Sequence, residues 1–202
     1  MLEIVFSKKA SSGRGPAIFL DRDGVINVRR PGDYVLDWSQ FEFVPGIQAA
    51  LKQLSSLNLP MILISNQAGV GKGLLDAAKL KEITVRMQNE LLAGGVSLTA
   101  AFYCTHRADE NCDCRKPQPG MLVRAAREFD IDLEHSIFIG DSASDVEAAF
   151  AAGCKPVLFG STAIDARENS SAVNRVPVAH ALSAGDLFSV CEKALKSDRG
   201  GN

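Results

Sequence analysis

Two carboxylates two positions apart, Asp21 and Asp23, stand directly behind the apolar run Ala17-Ile18-Phe19-Leu20 and ahead of Gly24. A short run with no polar member reads as a strand buried on both faces, as in parallel sheets covered by helices. In an open α/β sheet the carboxyl ends of the strands are where ligands bind. Paired carboxylates at such an end can act as nucleophile, acid/base and hard-cation ligand. They also suit a polar turn that merely closes a strand, because Asp and Gly are turn formers. Three more strand ends bear on the choice.

The alternation continues along the chain. Strand-like runs are expected at Ala17–Leu20, Met61–Ile64, Leu98–Tyr103, Ser136–Ile139 and Pro156–Phe159. Helical spacing of apolar residues is expected from Gly46 to Leu57, from the capping Asp76 to about Leu92, from Gly120 to Phe129, from Ser144 to Ala152 and from Leu187 to Leu195. Strand and helix in repetition give an α/β fold of Rossmann-like type with a mostly parallel sheet. Each early gap holds one helix, which leaves no space for a separate cap domain. Residues 1–16 read as a flexible tail, 17–195 as one domain and 196–202 as a C-terminal tail; the polar stretch 161–174 reads as loop.

With 22 basic and 24 acidic residues the net charge is −2, so there is no electrostatic basis for general nucleic-acid binding. The apolar runs fall well short of the ~18 residues of a membrane span. Met1–Phe6 is too short for a signal core, and Lys8 and Lys9 follow it instead of preceding it. A cytoplasmic protein without membrane or nucleic-acid partners is expected, and a monomer, since nothing reads as an obligate interface.

At the second strand end, Ser65-Asn66-Gln67 offers a hydroxyl and amides to phosphate oxygens, or else a helix cap. Gly69, Gly71 and Gly73 follow, without P-loop spacing, and read as a flexible turn with Lys72 solvated. Arg115-Lys116-Pro117 offers a fork and a point charge to a phosphoryl group, or else a solvated basic pair. The fourth end, Gly140-Asp141-Ser142 with Asp145, adds a carboxylate that completes a Mg²⁺ site with Asp21. Asp145 suits an outer supporting role or the cap of the helix it opens.

Five cysteines make an odd count, and three of them share one short window with a histidine: Cys104, His106, Cys112 and Cys114. That grouping reads as a closed structural Zn²⁺ site in a reduced compartment, a staple for the loop that carries Arg115 and Lys116. Cys154 and Cys191 read as core, and His135 and His180 as surface or packing residues.

Taken in order, Asp21/Asp23, Ser65, Lys116 and Asp141/Asp145 resemble the four motifs of the haloacid dehalogenase superfamily of phosphatases. That resemblance implies Asp21 as nucleophile, Asp23 as acid/base, and Mg²⁺ held by Asp21, the Asp23 backbone carbonyl and Asp141. It also implies Ser65, Asn66 and Lys116 around the transferring phosphoryl group. More narrowly, residues 19–27, Gly32-Asp33-Tyr34-Val35, residues 41–46, Ser65-Asn66-Gln67 and Cys112-x-Cys114-Arg115-Lys116-Pro117 resemble the D,D-heptose 1,7-bisphosphate phosphatase family. The family removes the 7-phosphate of a small phosphorylated sugar on the way to surface polysaccharide. By this resemblance Asn66, Gln67, Arg115 and Ser142 contact substrate, with Arg29 and Arg30 on a loop that covers it. Family members often read Gly-Ile-Ala-Arg-Gly where this chain has Gly69-Val70-Gly71-Lys72-Gly73. Histidinol-phosphate phosphatases share the Asp-Arg-Asp-Gly and zinc-loop features and are the alternative; a catalytically silent scaffold of the same fold is the remote one.

Overall fold

A computed structural model describes residues 1–7, 13–30, 34–160 and 178–197. Seven strands build one sheet: β1 (Leu2–Val5), β2 (Ile18–Leu20), β3 (Met61–Asn66), β4 (Ala100–Cys104), β5 (Ile137–Gly140), β6 (Lys155–Phe159) and β7 (Ala179–Ala181). Their spatial order is β1-β4-β3-β2-β5-β6-β7. Every neighbouring pair is parallel except β1 with β4. From β2 the chain works outward through β3 and β4, then returns to lay β5 on the other flank of β2. The crevice at that reversal is where a doubly wound sheet receives its ligand.

Side chains of β2 show why both faces are covered. Ile18 and Leu20 join the core beneath α1 (Ile47–Ser55), α3 (Ala77–Ala93) and α6 (Ala184–Lys196), while Phe19 joins the core beneath α4 (Gly120–Phe129) and α5 (Ala143–Ala152). Successive strand residues point to opposite faces, so three apolar residues in a row need two helical layers. α3 begins as its sequence predicts, with the Asp76 carboxylate accepting from the Ala78 N–H.

Two expectations are corrected. Leu2–Val5 is not part of a tail: it pairs antiparallel with the open edge of β4, from Leu2 opposite Tyr103 to Val5 opposite Ala100. Ile4 enters the core and Glu3 meets Arg124 at 3.1 Å. The Gly69–Gly73 stretch is not a flexible turn either; it begins within the short helix α2 (Ala68–Gly71). Gly71 lies so close to the Thr105 carbonyl that a Cβ there would meet it at 2.5 Å, so a side chain would push this turn off the loop after β4. The expected loop over 161–174 lies outside the described residues. The described residues contain no inserted cap between β2 and α1 or between β3 and α3, and no helix long and apolar enough to cross a membrane.

Candidate active site

β3 and β5 run in register on either side of β2, with Leu20 opposite both Leu63 and Ile139. Their carboxyl ends therefore open on the same edge of the sheet and deliver Asp21, Ser65 and Asp141 to one cleft of about 490 Å³. Asp21 is almost wholly buried, and its Oδ1 accepts from the Arg22 N–H at 2.7 Å. The same oxygen lies 2.9 Å from Lys116 Nζ. The chain then turns tightly at Gly24, whose φ of +92° and contact with Asp141 both require glycine: a Cβ would fall 1.9 Å from Asp141 Oδ2.

Lys116 reaches the cleft from the loop after β4, its side chain only 3% exposed. Its ammonium is shared among Asp21, Asp145 Oδ1 at 2.6 Å and the Ile64 carbonyl at 3.1 Å. Asn66 holds that loop in place, its amide accepting from the Lys116 N–H and donating to the Lys116 carbonyl, each at 3.1 Å. Asp145 resolves its two alternatives by doing both. Its Oδ2 accepts from the Asp141 N–H, the Ser142 N–H and the Ser142 hydroxyl, closing a capping box at the start of α5, while Oδ1 faces Lys116.

Gln67 corrects the sequence expectation. It was placed among the substrate contacts, yet it is buried, and its amide donates to Asp23 Oδ2 at 2.6 Å and to Ser65 Oγ at 3.3 Å. Ser142 lines the cleft but spends its hydroxyl on Asp145 and Ser144. Arg29, Arg30, Lys72 and Arg115 line the outer cleft together with Tyr34, over whose ring Lys72 Nζ lies at 5.5 Å. Arg29 Nη1 also reaches Asp141 Oδ2 at 3.3 Å. The residue that sequence reasoning missed is Arg22, which it passed over as the spacer between two carboxylates; it is fully buried. Its one signal was a position two residues beyond Leu20, which by strand alternation puts its side chain on the same covered face as Leu20.

Electrostatics divide the carboxylates. Burial pushes Asp21 up to about 7, with Lys116 pulling it down and Asp145, Asp141 and Asp23 pushing it further up. Burial, and then Asp145, lifts Asp141 to about 6. For Asp23 burial is outweighed by Arg22 and by hydrogen bonds from Asn27, Arg22 and Gln67, and its carboxyl is held below its ordinary value. Burial alone would depress Lys116, but Asp145 and Asp21 more than reverse it and raise the ammonium. Carboxyl oxygens of Asp21, Asp141 and Asp145 all lie within 4.8 Å of one another. An all-oxygen donor set with crowded negative charge fits a small divalent cation such as Mg²⁺.

A pH dependence follows for the metal-free protein. Asp21 and Asp141 have folded-state pKa values above those of the unfolded chain, so their contribution is full below about pH 4 and is lost as pH rises through about 6 and then 7. In a chelator the melting temperature should therefore fall by a few degrees between about pH 5 and pH 8. Mg²⁺ should restore more of it at the higher pH, where both carboxylates are ionised; equal Mg²⁺ shifts at both pH values would contradict this.

On the other side of Lys116, Cys104, His106, Cys112 and Cys114 converge. Cys104 Sγ lies 3.6 Å from both His106 Nδ1 and Cys112 Sγ, Cys114 Sγ is 3.2 Å from His106 Nδ1, and the Cys112 and Cys114 sulfurs are 3.6 Å apart. Donors around a tetrahedral Zn²⁺ stand about 3.5 Å apart. The set is compatible with zinc and lies immediately ahead of Arg115 and Lys116. Cys154 and Cys191 are core thiols, each pushed by burial up to about 12. His135 is half exposed and bound to Asp132, and His180 is exposed.

Sequence comparison decides the family. A D-glycero-beta-D-manno-heptose-1,7-bisphosphate 7-phosphatase of Photorhabdus laumondii is 40% identical over 66% of this chain and 74% of its own length. A D-glycero-alpha-D-manno-heptose-1,7-bisphosphate 7-phosphatase of Mycobacterium tuberculosis is 40% identical over 74% of this chain and 82% of its own. This chain belongs to the heptose-1,7-bisphosphate 7-phosphatase family. Residues 113–184 also match the family model described as HAD-hydrolase-like. Among solved structures, the D,D-heptose 1,7-bisphosphate phosphatase of B. bronchiseptica, complexed with magnesium and phosphate, superposes with a TM-score of 0.77. It is 34% identical and covers 90% of this chain and 99% of its own. That solved relative shares the α/β frame over nearly the whole of its own length.

Proposed function

We propose that this chain is a phosphatase that removes the 7-phosphate of D-glycero-D-manno-heptose 1,7-bisphosphate through an aspartyl-phosphate on Asp21. The observation that carries this reading is a buried aspartate pinned between a backbone N–H and a lysine ammonium at a strand end, in a cleft whose outer part is lined by cations. The relatives' names give the substrate class.

In this reading Asp21 attacks phosphorus while the bond to the sugar oxygen breaks, and Asp23 passes a proton to that oxygen. In the second half Asp23 takes a proton from water as the water attacks the phosphoryl group, freeing phosphate and Asp21. The donors around Asp23 favour the carboxylate needed for this half, and an arriving phosphate dianion raises its pKa toward the acid form needed for the first. Lys116 and Ser65 face the phosphoryl oxygens, and Asn66 keeps the Lys116 loop beside them. Mg²⁺ held by Asp21, Asp141 and the backbone carbonyl of Asp23 would offset the repulsion between carboxylate and phosphate. Zn²⁺ on Cys104, His106, Cys112 and Cys114 would staple the loop that presents Arg115 and Lys116.

Arg29, Arg30, Lys72 and Arg115 suit the second phosphate of a bisphosphate. Histidinol phosphate carries an ammonium where that rim is cationic, which disfavours the alternative. The chain would then work in the cytoplasm on a small sugar phosphate, as a monomer, with no nucleic-acid or membrane partner. The test is Mg²⁺-dependent phosphate release from both anomers of the heptose bisphosphate and from histidinol phosphate. A preference for the heptose bisphosphate over histidinol phosphate of about 100-fold or more in kcat/KM, ~2.7 kcal/mol at the transition state, is expected. Preference for histidinol phosphate would overturn the substrate, and no release from any of them would overturn the activity.

A further inference from the structure

Arg22 heads the largest fully buried side chains of the described residues, at 1% exposure. It sits between the two reactive carboxylates and touches both. Its backbone N–H donates to Asp21, and its Nη2 donates to both Asp23 oxygens, at 3.0 and 3.1 Å. Two further buried amides complete the surround: Asn27 Nδ2 donates to Asp23 Oδ1 at 2.9 Å and Gln67 Nε2 to Asp23 Oδ2 at 2.6 Å. The backbone supports this arrangement, since the Arg22 carbonyl accepts from the N–H groups of both Ile26 and Asn27.

Stability alone does not explain such an arginine. Removing a guanidinium from water costs several kcal/mol, and one carboxylate partner seldom returns it all. The pairing is also incomplete: the Tyr103 hydroxyl lies against the guanidinium, but Arg22 Nε and Nη1 have no partner at normal hydrogen-bond geometry. What the arrangement does achieve is orientational. Each Asp23 oxygen has two donors, Arg22 and Asn27 from the turn after β2 on Oδ1, Arg22 and Gln67 from beyond β3 on Oδ2, which fixes the carboxylate about both its side-chain torsions.

We propose that Arg22 is a positioning residue for this phosphatase: its buried guanidinium, backed by Asn27 and Gln67, holds the Asp23 carboxyl in the orientation from which it passes a proton to the leaving sugar oxygen. The proposal rests on the role given to Asp23 above. In the step concerned, the phosphorus–oxygen bond breaks, its electron pair stays on the sugar oxygen, and the Asp23 proton goes to that oxygen. An alkoxide leaving group needs the proton, whereas p-nitrophenolate leaves readily without it. A mispositioned Asp23 is therefore felt on alkyl esters and hardly on aryl esters, whereas a misfolded fraction lowers both alike.

The experiment compares kcat/KM for heptose bisphosphate and p-nitrophenyl phosphate in wild type, Arg22→Met, Arg22→Lys, Gln67→Leu and Asp23→Asn, with Mg²⁺ saturating. Should wild type not turn over the heptose, the primary sugar phosphate it hydrolyses fastest takes its place. Asp23→Asn should lose about 10²–10⁴-fold on the alkyl ester and far less on the aryl ester. Arg22→Met should show the same pattern, with an alkyl loss about tenfold or more beyond the aryl loss. Where Arg22→Met does not fold, Arg22→Lys, which keeps the charge but not the fork, and Gln67→Leu should each show the skew in smaller degree. Equal losses on both esters in the Arg22 and Gln67 variants, beside a skewed Asp23→Asn, would overturn the positioning role and leave the acid role standing. Equal losses in Asp23→Asn would remove the acid role and this proposal with it.

Discussion

Exchange of Asp21 for asparagine should lower Mg²⁺-dependent phosphate release by about 10⁴-fold or more, the scale seen when an enzyme loses its nucleophile. The two side chains have nearly the same shape, so the Arg22 N–H keeps an oxygen to donate to. An amide oxygen does not form the acyl phosphate, and no other carboxylate is placed to substitute. Asp145 is spent on Lys116 and the cap of α5, and Asp23 is enclosed by Arg22, Asn27 and Gln67. Phosphate release and acid-quench trapping of labelled phosphoenzyme give the readout. Label trapped on the wild type and absent from Asp21→Asn supports covalent catalysis; turnover within about tenfold of wild type would sink it.

Lys116→Met should fail twice over. The rate should fall by about 10²–10³-fold, because a preorganised cation beside the phosphoryl group is lost. Stability should fall by about 3–5 kcal/mol in urea unfolding near neutral pH, because removing one member of a buried charge cluster strands the others. The stranded groups are Asp21 and Asp145. Adding Asp145→Asn to Lys116→Met should recover part of the stability and none of the rate, a coupling that a double-mutant cycle measures. Recovery of neither would mean that the triad is not held by charge.

Much of this was legible because buried parallel strands announce themselves. Ile18–Leu20, Met61–Ile64 and Ile137–Ile139 are apolar without interruption, and the first polar residue after each run (Asp21, Ser65, Asp141) lies in the cleft by topology. β1 escaped because a four-residue edge strand with one core residue, Ile4, carries too little pattern to distinguish it from a tail. β7 escaped for a similar reason, being three residues with only Ala181 buried. Within the site, residue type told what chemistry was available but not which way it faced. Gln67 and Ser142 have groups that bind phosphate, and the fold turned them onto Asp23 and Asp145. Arg22 was hidden by the habit of assigning charge to solvent, which fails where a second charge lies one residue away.

Asp21, Ser65 and Asp141 stand at the ends of three adjacent strands whose register any drift would disrupt, whereas Lys116 and Arg115 arrive on a loop gathered by Cys104, His106, Cys112 and Cys114. The carboxylate cleft and the basic loop beside it are thereby held by separate means. A change of length or sequence between Cys104 and Cys112 can therefore re-aim Arg115 and Lys116 while β2, β3 and β5 keep Asp21, Ser65 and Asp141 where they are.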